Sequence, residues 1–256
     1  MDESEIRKFV REKYAGIARK GGSCCEAGEL CCGNFTPESA SGKVGYSAEE
    51  IGGVPEGANM GLGCGNPVAL ASLKKGETVL DLGAGGGFDC FLASKEVGPA
   101  GRVIGVDMTP DMVEKARGNA RRHGYGNVEF RLGEIEHLPA ADASVDAVIS
   151  NCVINLSTDK ESVFSEIYRV LKPGGRIMIS DLVLVKTLPE DVANSLAAYA
   201  GCVAGAIGKD AYIRLMKMAG FRDVRVVQEK GYDGMSGLED VSDAVRSVSI
   251  FGTKPE

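Results

Sequence analysis

The sequence has few of the residues on which several common functions depend. Its 256 residues include no tryptophan and only two histidines, so a mechanism that uses histidine as a general base has few candidates. Acidic residues outnumber basic ones by 36 to 29, and the net charge of −7 argues against nonspecific binding to nucleic acids or membrane surfaces. No apolar run reaches the ~18–20 residues of a membrane span, and the opening MDESEIRKFV lacks the apolar core of a signal peptide. We expect a cytoplasmic protein with neither nucleic acid nor membrane as partner.

Glycine and cysteine, in contrast, are abundant. Glycine accounts for 35 of 256 residues, about twice the ~7% of an average protein, so many turns must be tight or lie close to a ligand. The eight cysteines occur without a signal peptide, which favours thiols used for chemistry or metal binding over a disulfide-stapled scaffold. The length suggests one large domain, or one domain with an appendage.

The pattern divides the chain into an N-terminal segment, residues 1–60, and a longer domain, residues 61–256. Apolar residues at helical spacing predict an amphipathic helix over residues 1–20. Residues 21–60 are rich in glycine, serine and cysteine, with little periodicity before Ser47–Ile51. We expect this stretch to form an irregular, Cys-rich segment.

From about residue 60, short β-branched runs alternate with helical stretches, which indicates βαβ units in a parallel sheet. The predicted strands are Thr78–Leu82, Arg102–Asp107, Val128–Leu132, Val145–Ser150, Arg176–Leu182, Val224–Glu229 and Val245–Gly252. A polar connection joins the last two, which predicts an antiparallel hairpin at the sheet edge. A helical region over Glu190–Ile207 falls within an insertion, about residues 186–209, that we expect to form a lid. The sequence thus predicts an α/β fold with a mostly parallel, seven-stranded sheet.

A glycine-rich turn follows the first predicted strand in the segment VLDLGAGGGFD, residues 79–89. Gly83, Gly85 and Gly87 let the backbone approach a ligand and place amide groups at a helix N-terminus. Asp107 ends the second strand, 22 residues beyond Gly85, close to the ~20 expected for a carboxylate that binds ribose hydroxyls. Asp81, just before the turn, would repel phosphate but attract a cationic amino group. The pattern favours a ligand with an ammonium group and a ribose, as in S-adenosylmethionine (SAM).

Together with GEIEHLP at residues 133–139 and LKPGG at residues 171–175, these motifs resemble those of class I SAM-dependent methyltransferases. The resemblance covers about residues 66–230 and implies a Rossmann-like domain. It implies that the loop glycines and Asp81 hold the methionine moiety, that Asp107 binds the ribose, and that adenine lies between Glu134 and Ile135. The expected cofactor-binding residues are Asp81, Gly83, Gly85, Gly87, Asp107, Met108, Glu134, Ile135 and Asn151. The alternatives are a Rossmann domain that uses NAD and a relic without catalysis.

Three cysteines far apart in sequence fall where a parallel sheet would bring them together. Cys152 directly follows the fourth predicted strand, and open parallel sheets bind ligands at the carboxyl ends of their strands. Cys64 lies in the loop GLGCGNP before the first strand, and Cys202 lies in the insertion; both segments could fold over that edge. Three thiolates without a nearby histidine suit a soft ion of trigonal-pyramidal geometry such as As(III), whereas zinc normally recruits a fourth ligand.

The segments GLGCGNP, NCVINL and the Cys202 region, combined with a SAM-binding motif, closely resemble the arsenite methyltransferases. The resemblance implies that Cys64, Cys152 and Cys202 bind As(III) and form the catalytic site. It also implies that N-terminal cysteines take part. The candidates are the vicinal pairs formed by Cys24, Cys25, Cys31 and Cys32, which suit capture of thiophilic ions or disulfide exchange. Cys90 is expected to be a small, buried apolar residue.

The resemblance implies an enzyme that transfers the SAM methyl group to thiolate-bound As(III), with methylated arsenicals as products. No proton needs to leave the attacking arsenic lone pair, so the reaction requires alignment but no general base. Glutathione or thioredoxin is implied as the thiol reductant, and we expect a monomer. Two alternatives stay open: a SAM-dependent methyltransferase of a small organic acceptor, and a thiolate As(III)-binding protein without turnover.

Overall fold

The computed structural model describes residues 2–20, 36–232 and 241–256. In this part of the chain, one sheet contains β1 (Thr78–Leu82), β2 (Arg102–Asp107), β3 (Val128–Leu132), β4 (Val145–Asn151), β5 (Leu171–Leu184), β6 (Arg222–Gly231) and β7 (Val245–Thr253). The strand order is β3-β2-β1-β4-β5-β7-β6. Neighbouring strands are parallel except at β7, which pairs antiparallel with both β5 and β6. The predicted mostly parallel, seven-stranded sheet with an antiparallel edge hairpin is confirmed.

The strand boundaries agree most closely with the prediction in the first half of the sheet. β1, β2 and β3 begin and end at the predicted residues, because each is a short apolar run between turn-forming residues. β5 begins earlier than the predicted Arg176, since Leu171 already pairs with Val145 across an irregularity in β4.

Helices cover both faces of the sheet, because side chains alternate in direction along each strand. In β1, Leu80 and Leu82 belong to one apolar cluster and Val79 to another, with Phe164 buried in the first and Phe91 in the second. The described helices are α1 (Glu3–Lys20), α2 (Pro37–Val44), α3 (Ala48–Gly52), α4 (Pro67–Leu70), α5 (Phe88–Val97), α6 (Pro110–Arg122), α7 (Lys160–Val170), α8 (Glu190–Ala193), α9 (Leu196–Ala200) and α10 (Lys209–Met218). Within the described ranges, no helix combines the length and the apolar character needed to cross a membrane.

The prediction of an irregular stretch over residues 21–60 is wrong for the part that is described, residues 36–60. Thr36 caps α2 by accepting a hydrogen bond from the Ser39 amide at 3.2 Å. Ser47 and Glu50 form a capping box at the start of α3. Both helices are short and polar, so they lack the apolar periodicity on which the prediction relied.

The single helical region predicted over Glu190–Ile207 is also wrong. The structure has two short helices, α8 and α9, because Ser195 starts a new helix by accepting a hydrogen bond from the Ala198 amide at 3.2 Å. After Gly201 the chain continues through turns that carry Cys202. This irregular path brings Cys202 back toward the sheet, which a continuous helix would not do.

Candidate functional site

The glycine turn after β1 places backbone amides at the carboxyl edge of the sheet. Gly83, Gly85 and Gly87 have φ angles of 67°, 51° and 96°, left-handed conformations that favour glycine. The Asp107 carboxylate, at the end of β2, accepts hydrogen bonds from the amides of Gly85 at 2.9 Å and Thr109 at 2.8 Å. The turn and the carboxylate therefore lie side by side, as the sequence spacing predicts.

A cleft opens beside this turn and, including its mouth, has an empty volume of about 1160 Å³. Eight of the nine residues predicted to bind the cofactor line it: Asp81, Gly83, Gly85, Asp107, Met108, Glu134, Ile135 and Asn151. The ninth, Gly87, caps α5, and a Cβ added there would lie 2.7 Å from Phe91 and 2.8 Å from Phe130. The structure thus gives Gly87 a packing role, in which it lets α5 approach the sheet closely.

Two buried carboxyl groups line one part of the cleft. Burial raises the pKa of both Asp81 and Asp89, and both residues line the cleft. The Tyr46 hydroxyl donates to Asp89 at 2.6 Å, and the Asn151 amide donates to Asp89 at 3.1 Å and to the Gly65 carbonyl oxygen at 2.9 Å. A cationic ligand would favour the ionised form of both acids, so this region suits a sulfonium or ammonium group.

Sequence reasoning assigned no role to Tyr46 or Asp89. Asp89 closes the motif GGGFD, so its position directly after the glycine turn was the available signal. Tyr46 lies between α2 and α3, in a region without periodicity, and no sequence pattern connects it with the cleft. Its contact with Asp89 arises only when the N-terminal segment folds over the sheet.

Helix α1 forms another wall of the cleft. Arg11 pairs with the Glu134 carboxylate at 3.0 Å, and Arg7 lies 3.6 Å from Glu134 and 3.8 Å from Glu136. Arg7 and Tyr14 also line the cleft. The predicted adenine-binding segment is therefore tied to the N-terminal helix by ion pairs.

The three predicted thiols lie together in one apolar cluster. A disulfide joins Cys64 and Cys152, whose Cα atoms are 5.9 Å apart, and the Cys202 thiol donates to the Cys152 carbonyl oxygen at 2.8 Å. The sequence predicts free thiolates, and the structure differs in having two of the three sulfurs oxidised. The physical reason is proximity, because two cysteines close enough to share one ion are also close enough to bond to each other.

The backbone is left-handed at two of these cysteines. Cys152 has φ 57° and Cys202 has φ 65°, two of five described non-glycine residues with positive φ. The Cys152 amide donates to the Ser180 carbonyl oxygen at 2.8 Å, and the Cys202 amide donates to that of Tyr199 at 2.9 Å. Such conformations cost about 1–3 kcal/mol each and concentrate at functional sites. The surrounding fold therefore fixes the direction of both side chains.

The surroundings of Cys202 act on its thiol in opposite directions. Burial raises the pKa of Cys202 most and Asp181 raises it further, while the charges of two lysines and an interaction with Tyr14 lower it. The Tyr14 hydroxyl lies 3.2 Å from the Ala200 carbonyl oxygen, to which it donates. Helix α1 thus contacts both the cleft and the thiol cluster.

Cys152 is the cysteine at which the cleft and the thiol cluster meet. It lines the cleft, and it packs in the cluster with Cys64 and Cys202. Its neighbour Val153 packs on the glycine turn so closely that a Cβ added at Gly83 would lie 2.5 Å from a Val153 methyl group. An ion held by the three sulfurs would therefore face the part of the cleft beside the glycine turn.

Asp181 is a buried carboxylate beside the thiols that sequence reasoning missed. One of its oxygens and the sulfurs of Cys64 and Cys152 all lie within 4.8 Å of one another. Burial raises the pKa of Asp181 to about 7. In the sequence, Asp181 stands out only as an acidic residue inside the apolar run MISDLVLV, residues 178–185.

The other cysteines lie away from this cluster or outside the described residues. Cys90 is fully buried in α5 and its thiol donates to Asp81 at 3.1 Å, so its predicted place in the core is confirmed. The N-terminal pairs formed by Cys24, Cys25, Cys31 and Cys32 lie outside the described residues. Their role stays a prediction.

The chain matches a family model described as a methyltransferase domain over residues 73–220. It is 48% identical to the arsenite methyltransferase of Halobacterium salinarum, over 99% of this chain and 68% of that protein. It is 40% identical to the arsenite methyltransferase of Aquipseudomonas alcaligenes, over 69% of this chain and 52% of that protein. It is 34% identical to the arsenite methyltransferase of Mus musculus, over 99% of this chain and 70% of that protein. The chain thus spans between half and seven tenths of the length of these relatives.

Solved structures agree with these matches. The crystal structure of an arsenic(III) S-adenosylmethionine methyltransferase from Chlamydomonas reinhardtii superposes with a TM-score of 0.67 at 39% identity, covering 85% of this chain and 73% of that chain. A phosphoethanolamine N-methyltransferase from Haemonchus contortus in complex with SAM superposes with a TM-score of 0.66 at 20% identity, covering 88% of this chain and 58% of that chain. The second likeness concerns the fold alone.

Proposed function

Because the chain belongs to the arsenite methyltransferase family, we propose that it transfers the methyl group of SAM to As(III) bound by Cys64, Cys152 and Cys202. The observation that carries this proposal is the position of Cys152, which lines the cleft and packs with the other two thiols. A methyl donor in the cleft and an ion on the sulfurs would meet at this residue.

The residues of the cleft fit SAM in charge and in hydrogen-bonding capacity. SAM supplies an electrophilic methyl group on a positively charged sulfur. Asp81 and Asp89 are buried carboxyl groups whose ionised form such a cation would favour. Asp107 accepts two amide hydrogen bonds and, as a carboxylate, keeps acceptor capacity for ribose hydroxyls. The ion pairs of α1 with Glu134 hold the segment proposed to flank the adenine.

The thiol cluster fits As(III), because thiolates are soft ligands and three of them match a trigonal-pyramidal ion. Each thiol would replace one hydroxide of arsenous acid, and its proton would leave with that hydroxide as water. The arsenic lone pair would then attack the methyl carbon, the bond between that carbon and the SAM sulfur would break, and S-adenosylhomocysteine would leave. No general base is needed. Within the described residues no histidine lines the cleft. The protein would act by holding and aligning the two reactants.

The proposed reaction needs a thiol reductant, because use of the arsenic lone pair for the new bond leaves the arsenic formally pentavalent and this oxidation must be reversed. Glutathione or thioredoxin would reduce the bond between Cys64 and Cys152, which frees two arsenic ligands and leaves a disulfide on the reductant. The vicinal pairs at residues 24–25 and 31–32 would pass electrons between the reductant and this bond. Such chemistry suits a reducing cytoplasm.

We also propose roles for residues 1–60 and 186–209. Residues 1–60 would act as an N-terminal module of the site, since α1 walls the cleft and Tyr14 contacts the thiol cluster. Residues 186–209 would act as a lid over the acceptor, since they carry Cys202. We expect a monomer to suffice, because a single chain contributes the cleft and all three sulfurs.

The proposal is tested by incubating reduced protein with SAM, As(III) and a thiol, and separating the arsenic species by chromatography with elemental detection. We expect methylated arsenic together with S-adenosylhomocysteine. Tight As(III) binding without methylated product would instead indicate a binding protein without turnover. If neither arsenic binding nor turnover occurs, the acceptor is an organic molecule and the proposed function is wrong.

A further inference from the structure

Asp181 is a buried acid for which the proposed methyl transfer has no use. It is fully buried in β5, yet one carboxylate oxygen lies within 4.8 Å of the sulfurs of both Cys64 and Cys152. Placing a carboxylate in the interior is unfavourable unless hydrogen bonds or a cation compensate it. Hydrogen bonds compensate the burial of Asp181, but they do not explain why it lies beside two sulfurs.

The Asp181 carboxylate is oriented by hydrogen bonds in the manner of a metal ligand. One oxygen accepts from the Asn155 amide group at 2.9 Å and from the Leu182 backbone amide at 2.9 Å. The other accepts from the Tyr212 hydroxyl at 3.1 Å, which leaves it one further acceptor position among the described contacts. Carboxylates that bind metals are held by such outer partners, which fix their direction.

We propose that the reduced thiols of Cys64 and Cys152, together with the Asp181 carboxylate, form a site for a divalent cation of the zinc class that competes with As(III). The inference rests on the proposed function in one respect, since it names Cys64 and Cys152 as shared arsenic ligands. It adds a divalent cation as a second ligand of this site, the Asp181 carboxylate as the third donor, and inhibition of As(III) binding by that cation.

The donor set distinguishes the two ions. Zinc accepts thiolate sulfur and carboxylate oxygen together, with a fourth position open to water or to another side chain. Its binding would release the two thiol protons and leave the carboxylate as the oxygen ligand. As(III) is more strongly thiophilic and would take its third bond from the Cys202 sulfur. The two ions therefore share two sulfurs but differ in the third protein ligand.

Two variants test this difference from opposite directions. The full chain is reduced anaerobically, its free thiols are counted, and zinc affinity is measured by competition with a chromophoric chelator. Asp181→Asn should weaken zinc binding by about 10–100-fold and leave As(III) affinity within about threefold of the unsubstituted protein. Cys202→Ser should do the reverse, weakening As(III) binding by a similar factor. It should change zinc affinity by about threefold or less, because the group of mutually close ligand atoms contains Cys64, Cys152 and Asp181 but not Cys202. Magnesium, which prefers oxygen ligands, should not displace zinc.

X-ray absorption at the zinc edge tests the same site without a substitution. The zinc-loaded protein should show two sulfur neighbours and at least one oxygen neighbour, and added zinc should slow As(III) binding competitively. A spectrum with sulfur ligands alone, or an unchanged zinc affinity in Asp181→Asn, would overturn the inference. If zinc binds through Asp181 but the protein binds no As(III), the metal site stands and the proposed function fails. If As(III) binds to three sulfurs but zinc does not bind, only the metal site is wrong.

Discussion

The cleft and the thiol cluster lie at the same sheet edge but are built in different ways. In the cleft, left-handed backbone falls on glycines, and the key residues come from β1, the turn after it and the end of β2. In the thiol cluster, left-handed backbone falls on Cys152 and Cys202, and three separate segments supply the sulfurs. The first site depends mainly on local sequence, whereas the second depends on tertiary contacts that hold a less favourable backbone.

The two regions also differ in the main ionisable groups that they bury. The cleft holds buried carboxylates, Asp81 and Asp89, which suit a cation. In the thiol cluster, burial raises the pKa of Cys202, so its sulfur stays protonated until an ion or a nearby positive charge favours the thiolate. The cleft therefore offers carboxyl groups to a charged donor, and the cluster offers thiols to a thiophilic acceptor, with Asp181 as a buried carboxyl group beside them.

The largest expected effect comes from removing the residue that joins the regions. In Cys152→Ser, the hydroxyl keeps the shape of the side chain but binds As(III) poorly, so we expect arsenic methylation to fall by roughly 100-fold or more. SAM affinity should change by about threefold or less, because only one cleft residue is altered. Chromatography of the arsenic products and calorimetric SAM binding measure the two quantities. Methylation at the unsubstituted rate would remove Cys152 from the site.

A substitution in the cleft should weaken SAM binding and leave As(III) binding unchanged. Asp107→Asn replaces a carboxylate that accepts from the Gly85 and Thr109 amides, and hydrogen bonds to charged groups contribute about 1.5–3 kcal/mol. We expect SAM affinity to fall by roughly 10–100-fold, while As(III) affinity stays unchanged. Asp210→Asn, an exposed residue in the first turn of α10 that does not line the cleft, is the matched control and should bind SAM normally. Equal loss of SAM and As(III) binding in Asp107→Asn would show that the two regions are not separable.

The same contrast explains which parts the sequence could predict. The bounds of β1 and β2 and the location of Asp107 at the cleft follow from short, continuous patterns whose physical requirements are local. The position of Cys152 follows from the rule that parallel strands present their carboxyl ends at one edge, whereas the approach of Cys64 and Cys202 was implied only by the family resemblance.

The features that the sequence does not predict depend on contacts between distant segments, which no local pattern encodes. Tyr46 and α1 reach the cleft only because the N-terminal segment folds over the sheet edge. Gly87 belongs to the glycine motif, yet it packs against Phe91 and Phe130. The spacing of the glycines does not show which of them contacts a ligand and which allows close packing. The break in the region Glu190–Ile207 depends on a serine cap that the small-residue composition concealed.

A smaller effect is expected from pH on the binding of SAM in the cleft. Burial raises the pKa of Asp89 to about 6, so the free protein carries a proton there at lower pH, and a cation binds the ionised form better. SAM affinity should therefore increase as the pH rises, by roughly tenfold between about pH 5 and about pH 7.5, and level off above that range. S-adenosylhomocysteine, which lacks the sulfonium charge, should show a weaker dependence, and Asp89→Asn should flatten the curve. A SAM affinity that decreases with rising pH would contradict this role.

The smallest expected effect concerns a cysteine that belongs to the cleft side of the molecule. Cys90 is fully buried, and burial together with Asp81 raises its pKa well above the usual range, so its thiol stays protonated and unreactive. Cys90→Ser keeps a donor for Asp81 and removes the sulfur, so we expect arsenic methylation within about twofold of the unsubstituted rate and a loss of about 1 kcal/mol in the free energy of unfolding. Activity assays and urea denaturation measure both. If Cys90→Ser instead abolished methylation while SAM bound normally, thiol chemistry would extend into the cleft. The assignment of thiol chemistry to the thiol cluster alone would then be wrong, because a fully buried cysteine in the cleft would also take part in it.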